Sequence, residues 1–200
     1  AEAGVELTLD MEQYELRDLT IELAKRLLQQ VGAEARPRLG VVIQAYLRDA
    51  ESAADELLEW LSRTAHRLSV RLVKGAYWDY EVALARQRGW PVPVYEHKHE
   101  TDAALQRLAQ RLLGSRAPVE VAIASHNIRS IAHAMAVADS AGLRKDQVEF
   151  QLLYGMGDAI QAALVELGYP VRIYTPLGSL IPGMGYLVRR ILENTANESF

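Results

Sequence analysis

The stretch LGVVIQAY at residues 39–46 indicates the fold class. Its residues Gly40 to Ile43 follow one another without polar alternation, so a strand here would be covered on both faces. Strands covered on both faces are typical of a parallel sheet packed between helices. Helical spacing follows at Leu57, Leu58 and Leu61, which predicts a βα unit.

Five further apolar runs of the same kind lie along the chain. The spacing of Met11, Tyr14, Leu19, Leu23 and Leu27 predicts a helix after the first of them. The six predicted strands are residues 5–9, 39–46, 69–74, 119–125, 148–154 and 171–175. We therefore predict an α/β chain in which strands and helices alternate strictly.

Polar side chains close or follow the predicted strands: Asp10, Gln44, Lys74, His126, Asn127, Tyr154 and Tyr174. TIM-type barrels build their active sites at this end of the strands. A dinucleotide-binding sheet would carry three spaced glycines after one strand, and Gly155 and Gly157 lack the third. We predict a (βα)8 TIM-type barrel domain over residues 1–200, with six of the eight βα units present and the first two absent.

The composition excludes several classes of protein. A total of 22 Lys and Arg against 26 Asp and Glu gives a net charge of −4, so no basic surface for nucleic acid is expected. The sequence has no cysteine, which excludes disulfides and thiolate chemistry. Any redox chemistry therefore needs a bound cofactor. There is no apolar run of membrane-spanning length and no signal-peptide pattern, so a soluble cytoplasmic protein is expected.

The predicted last helix has a polar face. Tyr186, Arg189, Arg190 and Glu193 are spaced i, i+3, i+4 and i+7, which places them on one side. Two adjacent guanidinium groups suit a carboxylate or phosphate ligand. A solvated face with a pair between Arg189 and Glu193 explains the same spacing, and the spacing does not decide between the two.

Cations and aromatic residues are mixed in RLVKGAYWD at residues 71–79, around the end of the third predicted strand. This mixture suits a flat, anionic cofactor, because glycine lets the backbone approach a ligand and aromatic rings pack against planar rings. The alternative is an aromatic pair that closes the barrel end, with Asp79 as the N-cap of the next helix.

Other polar positions also have two interpretations. Asp10 follows a strand and precedes a predicted helix, which is typical of an N-cap. His126 and Asn127 fit either ligand contacts or a strand-end pair. His97 and His99 lack a third ligand at metal spacing, so we expect them in a loop and predict no metal site.

Four motifs together carry a family resemblance. They are RLVKGAYWDYE at residues 71–81, ASHN at 124–127, FQLLYGMGD at 150–158 and YLVRRILENTANESF at 186–200. In this order they strongly resemble the proline dehydrogenase family, and most closely the dehydrogenase domain of its bifunctional proline utilization flavoproteins. The resemblance runs from residue 7 to residue 200. It implies a distorted (βα)8 barrel that binds FAD, oxidises L-proline to Δ1-pyrroline-5-carboxylate and passes the electrons to a quinone.

The resemblance also implies roles for individual residues. Arg189 and Arg190 match the arginine pair that holds the proline carboxylate. Asp10 matches the active-site aspartate, and Arg71 matches the arginine beside the reactive flavin nitrogen. The positions around the proline ring are matched by Tyr77, Leu153, Tyr174 and Tyr186. The other FAD contacts are matched by Met11, Gln44, Val73, Lys74, Gly75, Ala76, Trp78, Lys98, Thr101, Ser125, His126, Asn127, Gln151, Glu193 and Phe200.

The resemblance leaves two functions open for the chain. One is a flavin-dependent proline dehydrogenase whose partners are L-proline and a quinone, with an aldehyde dehydrogenase domain or partner outside these residues. Because the electrons pass to a quinone, a peripheral contact with the inner membrane is compatible with this function. The other is a catalytically silent flavin-binding or structural barrel fragment, because a substrate-pocket lysine in the family's second strand has no counterpart here.

Overall fold

A computed structural model describes residues 5–31, 38–179, 183–185 and 188, and it shows a six-stranded parallel sheet. The strands are β1 (Leu7–Leu9), β2 (Leu39–Gln44), β3 (Leu68–Val73), β4 (Val119–Ala124), β5 (Val148–Leu153) and β6 (Val171–Tyr174). They pair in chain order, and each pair is parallel. All six predicted strands are confirmed. Five of them end one or two residues earlier than predicted, so these predicted strand residues follow the strand ends instead: Ala45, Tyr46, Lys74, Ser125, Tyr154 and Thr175.

The helices are α1 (Arg17–Val31), α2 (Ala50–Thr64), α3 (Trp78–Arg88), α4 (Lys98–Leu113), α5 (Ile128–Ser140) and α6 (Asp158–Glu166). The predicted strict alternation is wrong between β3 and β4, where α3 and α4 follow each other. Gly89 ends α3 in a left-handed conformation, and Pro91 and Pro93 prevent the helix from continuing. The loop between the two helices forms a single antiparallel bridge from Val94 to Leu47.

The first helix begins later than its spacing predicts. Residues 14–16 form a 3-10 turn, and α1 begins at Arg17. Tertiary contacts hold this turn: the Tyr14 N–H donates to Glu81 at 2.8 Å and the Tyr14 hydroxyl to Asp49 at 2.9 Å. Met11 therefore lies outside the helix.

The buried face of α1 also differs from the predicted one. Ala24 and Leu28 are each 1% exposed, whereas Leu19 and Leu23 are 65% and 46% exposed. The apolar residues of this helix therefore cover a wider face than the part that packs on the sheet.

The two faces of the sheet differ in a way that locates the barrel interior. Along β3, Leu68, Val70 and Leu72 are buried beneath helices, while Ser69 and Arg71 lie on the other, inner face. Across this inner face, Arg172 of β6 donates to Glu6, next to β1, at 3.1 Å. The sheet is therefore curled so that its first and last strands approach each other. This is a partial TIM-type barrel, as predicted.

The hydrophobic core lies between the outer face of the sheet and the helices. Its largest fully buried side chains are Tyr46, Phe150, Leu28, Leu47, Leu57, Leu61, Leu68, Leu72, Leu108, Leu112, Ile123 and Leu152. Because this core holds the strands, the side chains at the strand ends are displayed on a rigid frame.

Candidate active site

A three-residue cluster lies on the inner face of the curled sheet. Arg71 of β3 donates from Nε to Oε1 of Gln151 on β5 at 2.7 Å, and from Nη1 to Oδ1 of Asp10 at 2.5 Å. Gln151 is 8% exposed. Asp10 is therefore not an N-cap, since α1 begins seven residues later and the carboxylate pairs with Arg71 instead. The cluster places a fixed guanidinium group at the barrel interior.

A second cluster joins the end of β3 to the start of α4. Asp102 pairs with Lys74 through one carboxylate oxygen and with Lys98 through the other, the latter at 2.8 Å. Burial by itself would raise the pKa of Asp102, but the two ammonium groups outweigh burial and hold its pKa below the usual value. Two lysines against one carboxylate leave a net positive charge, which suits an anionic ligand.

Thr101, beside Asp102 in α4, has an unsatisfied hydroxyl. Its side chain is fully buried, and Oγ1 has no hydrogen-bond partner in the part of the chain that the structure describes. Buried hydroxyl groups normally have a partner, so this one is available to a ligand.

The end of β4 is organised by local hydrogen bonds. Ser125 Oγ accepts from the Asn127 N–H at 3.1 Å, and Asn127 Oδ1 accepts from the Ser130 N–H at 3.0 Å as the N-cap of α5. His126 Nε2 accepts from the Leu153 N–H at 3.1 Å. His126 Nε2 is therefore unprotonated, and a neutral ring carries its proton on Nδ1. Asn127 is therefore held at the end of β4 as the N-cap of α5.

The loop after β3 packs on the end of β2. Gly75 has φ +146°, and a Cβ there would lie 2.5 Å from the ring of Tyr46, a residue that is 1% exposed. Gln44, also buried, donates to the Met11 carbonyl at 2.5 Å. Glycine at position 75 is thus explained by a close approach to an aromatic ring of the chain itself.

The two aromatic residues that follow this loop, Tyr77 and Trp78, lie at the start of α3. Tyr77 occupies the N-cap position, so Asp79 is in the first turn of the helix and is not its N-cap. Trp78 Nε1 donates to the Tyr95 carbonyl at 2.8 Å, which ties the indole to the loop before α4. Val73 ends β3, where its carbonyl accepts from the Ala45 N–H at 2.8 Å, and Ala76 lies between Gly75 and Tyr77.

The residues expected around proline are only partly described. Leu153 and Tyr174 are the last residues of β5 and β6, which pair with each other. The polar face predicted on the last helix lies outside the described residues, as do Tyr186, Arg189, Arg190, Glu193 and Phe200.

The structure brings to these clusters four charged residues that the sequence motifs did not predict. Asp102 lies four residues after Lys98, a spacing that indicates an ion pair within a helix. Glu149 precedes Gln151 by two residues, so both face the same side of β5. Arg172 and Glu6 are linked only through the curl of the sheet, and no local pattern could have paired them.

Two general features bear on the kind of site. The structure has no helix long and apolar enough to cross a membrane within residues 5–31 and 38–179. In the same part of the chain no three His, Asp or Glu side chains are grouped as metal ligands. His97 precedes α4 and stacks on His99, which lies in the first turn of that helix and not in a loop.

Comparison with known proteins identifies relatives over the whole chain. Bifunctional protein PutA of Klebsiella aerogenes is 35% identical over 203 residues, covering 97% of this chain and 15% of that protein. Mitochondrial proline dehydrogenase 1 of Homo sapiens is 31% identical, covering 98% of this chain and 33% of its own length. The chain thus spans a third or less of the length of these relatives.

The fold has a solved counterpart. The crystal structure of proline utilization A (PutA) from Bdellovibrio bacteriovorus, inactivated by N-propargylglycine, matches with a TM-score of 0.93 at 48% identity. The match covers 99% of this chain and 21% of that one. The family described as proline dehydrogenase matches residues 1–200. Because the match extends over every residue, this chain belongs to the proline dehydrogenase family.

Proposed function

We propose that this chain oxidises L-proline to Δ1-pyrroline-5-carboxylate, with FAD as the hydride acceptor and a quinone as the final electron acceptor. The observation that carries the proposal is the cluster of Asp10, Arg71 and Gln151 at the barrel interior, in a member of the proline dehydrogenase family. The inactivator in the Bdellovibrio relative supports it, since N-propargylglycine is, like proline, an α-amino acid with a secondary amine.

The chemistry of the described residues fits FAD. The net positive charge of Lys74 and Lys98 around Asp102 suits its diphosphate, and the unpartnered Thr101 hydroxyl offers a hydrogen bond. The residues proposed to hold FAD are Met11, Gln44, Arg71, Val73, Lys74, Gly75, Ala76, Trp78, Lys98, Thr101, Ser125, His126, Asn127, Gln151, Glu193 and Phe200. When bound, the flavin supplies an acceptor for the hydride that leaves proline C5.

The protein's part in this reaction is to orient proline and to stabilise charge. We assign the proline carboxylate to Arg189 and Arg190, and the walls around the ring to Tyr77, Leu153, Tyr174 and Tyr186. Loss of a hydride from C5 and a proton from nitrogen yields the imine product. Arg71 is fixed by Asp10 and Gln151, so its charge is in place before the reaction and needs no reorganisation.

Partners outside these residues form part of the same proposal. The bifunctional PutA relatives are several times longer than this chain, which supports an aldehyde dehydrogenase domain or partner that consumes the product. We propose a cytoplasmic protein, with the quinone reached through a peripheral contact with the inner membrane.

The arginine assignment is tested by measuring proline affinity. Arg190→Met removes one of two charge-assisted partners and is expected to weaken proline binding by about 2–4 kcal/mol. Arg144→Met is the matched control, because Arg144 pairs with Asp146 in the turn that precedes β5, at the opposite end of the strand from Leu153. Equal proline affinity in both variants would show that Arg190 does not hold the carboxylate.

Two reagents test the wider assignment. N-propargylglycine is expected to inactivate the protein, and proline is expected to protect it. A soluble quinone should support proline oxidation and NAD should not, because the chain lacks a three-glycine dinucleotide fingerprint. Rapid turnover with NAD as the only acceptor would contradict the proposed electron path.

A further inference from the structure

The Arg71 cluster continues as a chain of side chains across the barrel interior. Gln151 Nε2 donates to Glu149 Oε1 at 2.6 Å, and Arg172 donates to Glu149 Oε2 at 2.8 Å. Arg172 also donates to Glu6 at 3.1 Å. A continuous hydrogen-bonded path therefore runs from β6 through two residues of β5 to Arg71 on β3.

The chemistry of the two neighbours fixes the orientation of the Gln151 amide. An ionised carboxylate only accepts hydrogen bonds, and a guanidinium group only donates them. The amide between Glu149 and Arg71 must therefore present its NH2 group to Glu149 and its oxygen to Arg71. The flipped amide would set oxygen against carboxylate and NH2 against guanidinium, so Glu149 makes Gln151 an acceptor toward Arg71.

Glu149 is itself held in place. One carboxylate oxygen accepts from Gln151 and the other from Arg172, so rotation of the carboxylate breaks at least one contact. Burial by itself would lower the pKa of Arg172, but the carboxylates of Glu149 and Glu6 outweigh burial and the pKa is raised. Arg172 thus stays cationic, and its hydrogen bond to Oε2 orients the Glu149 carboxylate.

We propose that Glu149 is a positioning residue that acts through the Gln151 amide to hold the Arg71 guanidinium in its orientation toward the site, with Arg172 as the support of Glu149. The link from Glu149 to Arg71 stands on the contacts of the chain alone. Its effect on the flavin rests on the proposed function, because only that function places Arg71 beside the flavin.

The first test measures how firmly the Arg71 guanidinium is held, in the absence of any cofactor. In flavin-free protein, the Arg71 Nε–H signal is assigned by its loss in Arg71→Lys, and its hydrogen exchange is measured by NMR. In Glu149→Gln, the new side chain can present either its oxygen or its NH2 group to Gln151. The Gln151 oxygen is then no longer held toward Arg71, so the exchange is expected to be about tenfold faster. Glu120→Gln is the matched control, since Glu120 on β4 pairs with the exposed Arg67 instead. Equal exchange rates in Glu149→Gln, the control and the wild type would overturn the proposal.

A second variant keeps the test decisive if Glu149→Gln fails to fold. Arg172→Gln leaves Glu149 in place but removes the partner of its Oε2 atom. The Arg71 Nε–H exchange is expected to be a few-fold faster in this variant. An unchanged rate in folded Arg172→Gln would overturn the role of Arg172 as support.

The holoprotein then tests the consequence for the flavin. Glu149→Gln is expected to make the flavin reduction potential more negative, because a less ordered Arg71 stabilises the reduced anion less well. In a Gln151→Leu background the same substitution should cause no further shift, because the connecting amide is gone. An equal shift in both backgrounds would show that Glu149 does not act through Gln151. If the wild type binds no flavin, the proposed function fails while the exchange measurement still decides the role of Glu149.

Discussion

The substitution Gly75→Ala tests the packing that shapes the loop between β3 and α3. A Cβ at this position would lie 2.5 Å from two carbon atoms of the Tyr46 ring and 2.6 Å from a third, where ordinary contact begins at 3.4 Å. Tyr46 is 1% exposed, so its ring has no free space into which it can move. The backbone at residue 75 also has φ +146°, which side-chain-bearing residues rarely adopt.

These two costs set the size of the expected effect. Overpacking of a core costs about 1–3 kcal/mol, and a backbone conformation of this kind about 1–3 kcal/mol more. We therefore expect Gly75→Ala to lower the free energy of unfolding by about 2–6 kcal/mol. For a domain of this size, the smallest of these values corresponds to a melting temperature about 4–8 °C lower.

Chemical and thermal unfolding of Gly75→Ala are compared with those of Gly89→Ala. Gly89 also has a positive φ, +65°, but a Cβ there would meet nothing within 4 Å. Its cost is therefore backbone strain alone, about 1–2 kcal/mol. Adding Tyr46→Leu should recover part of the loss in Gly75→Ala and none of the loss in Gly89→Ala. A Gly75→Ala variant no less stable than Gly89→Ala would refute the steric argument.

Three further predictions concern other contacts. Burial raises the pKa of Glu81, so its stabilising contribution is complete at low pH and is lost as the pH rises through the folded-state pKa. Glu81→Gln should therefore gain stability relative to the wild type as the pH rises above about 4, which thermal melts at a series of pH values would follow. A difference that is constant with pH would contradict this. The lysines lower the pKa of Asp102, so its contribution is present above about pH 4 and is lost in acid. Wild-type stability should then fall more steeply in acid than that of Asp102→Asn, and parallel acid unfolding curves would argue against the pairing. Asn127→Ala should cost about 0.5–2 kcal/mol of unfolding free energy without flavin, and Asn127→Ser should restore most of it. A loss seen only with flavin bound would mean that the cap contributes little.

The sheet could be predicted because each strand carries its own signal. The run from Gly40 to Ile43 is apolar on both faces, and polar residues such as Gln44 and Lys74 mark the barrel end. The start of α1 could not be predicted, because contacts of Tyr14 with residues 35 and 67 positions away outweigh its helical spacing.

The site was predicted as a set of residues but not as a set of contacts. The role of Asp10 stayed open in the sequence because its partner Arg71 lies 61 positions away. The spacings of Asp102 from Lys98 and of Glu149 from Gln151 are visible locally, yet many such pairs are solvated. Gly75 suggested a ligand approach, whereas its nearest neighbour is the Tyr46 ring, which the parallel register of β2 against β3 brings there.

Anaerobic titration of the purified protein with L-proline tests the proposed oxidation most directly. The protein should bind FAD, and its visible flavin absorption should bleach as proline is added and return when a soluble quinone follows. Arg190→Met should bind FAD but require far more proline for the same bleaching. Bound flavin that keeps its absorption at saturating L-proline would contradict the proposed oxidation, and a failure to bind FAD at all would support a silent barrel fragment instead.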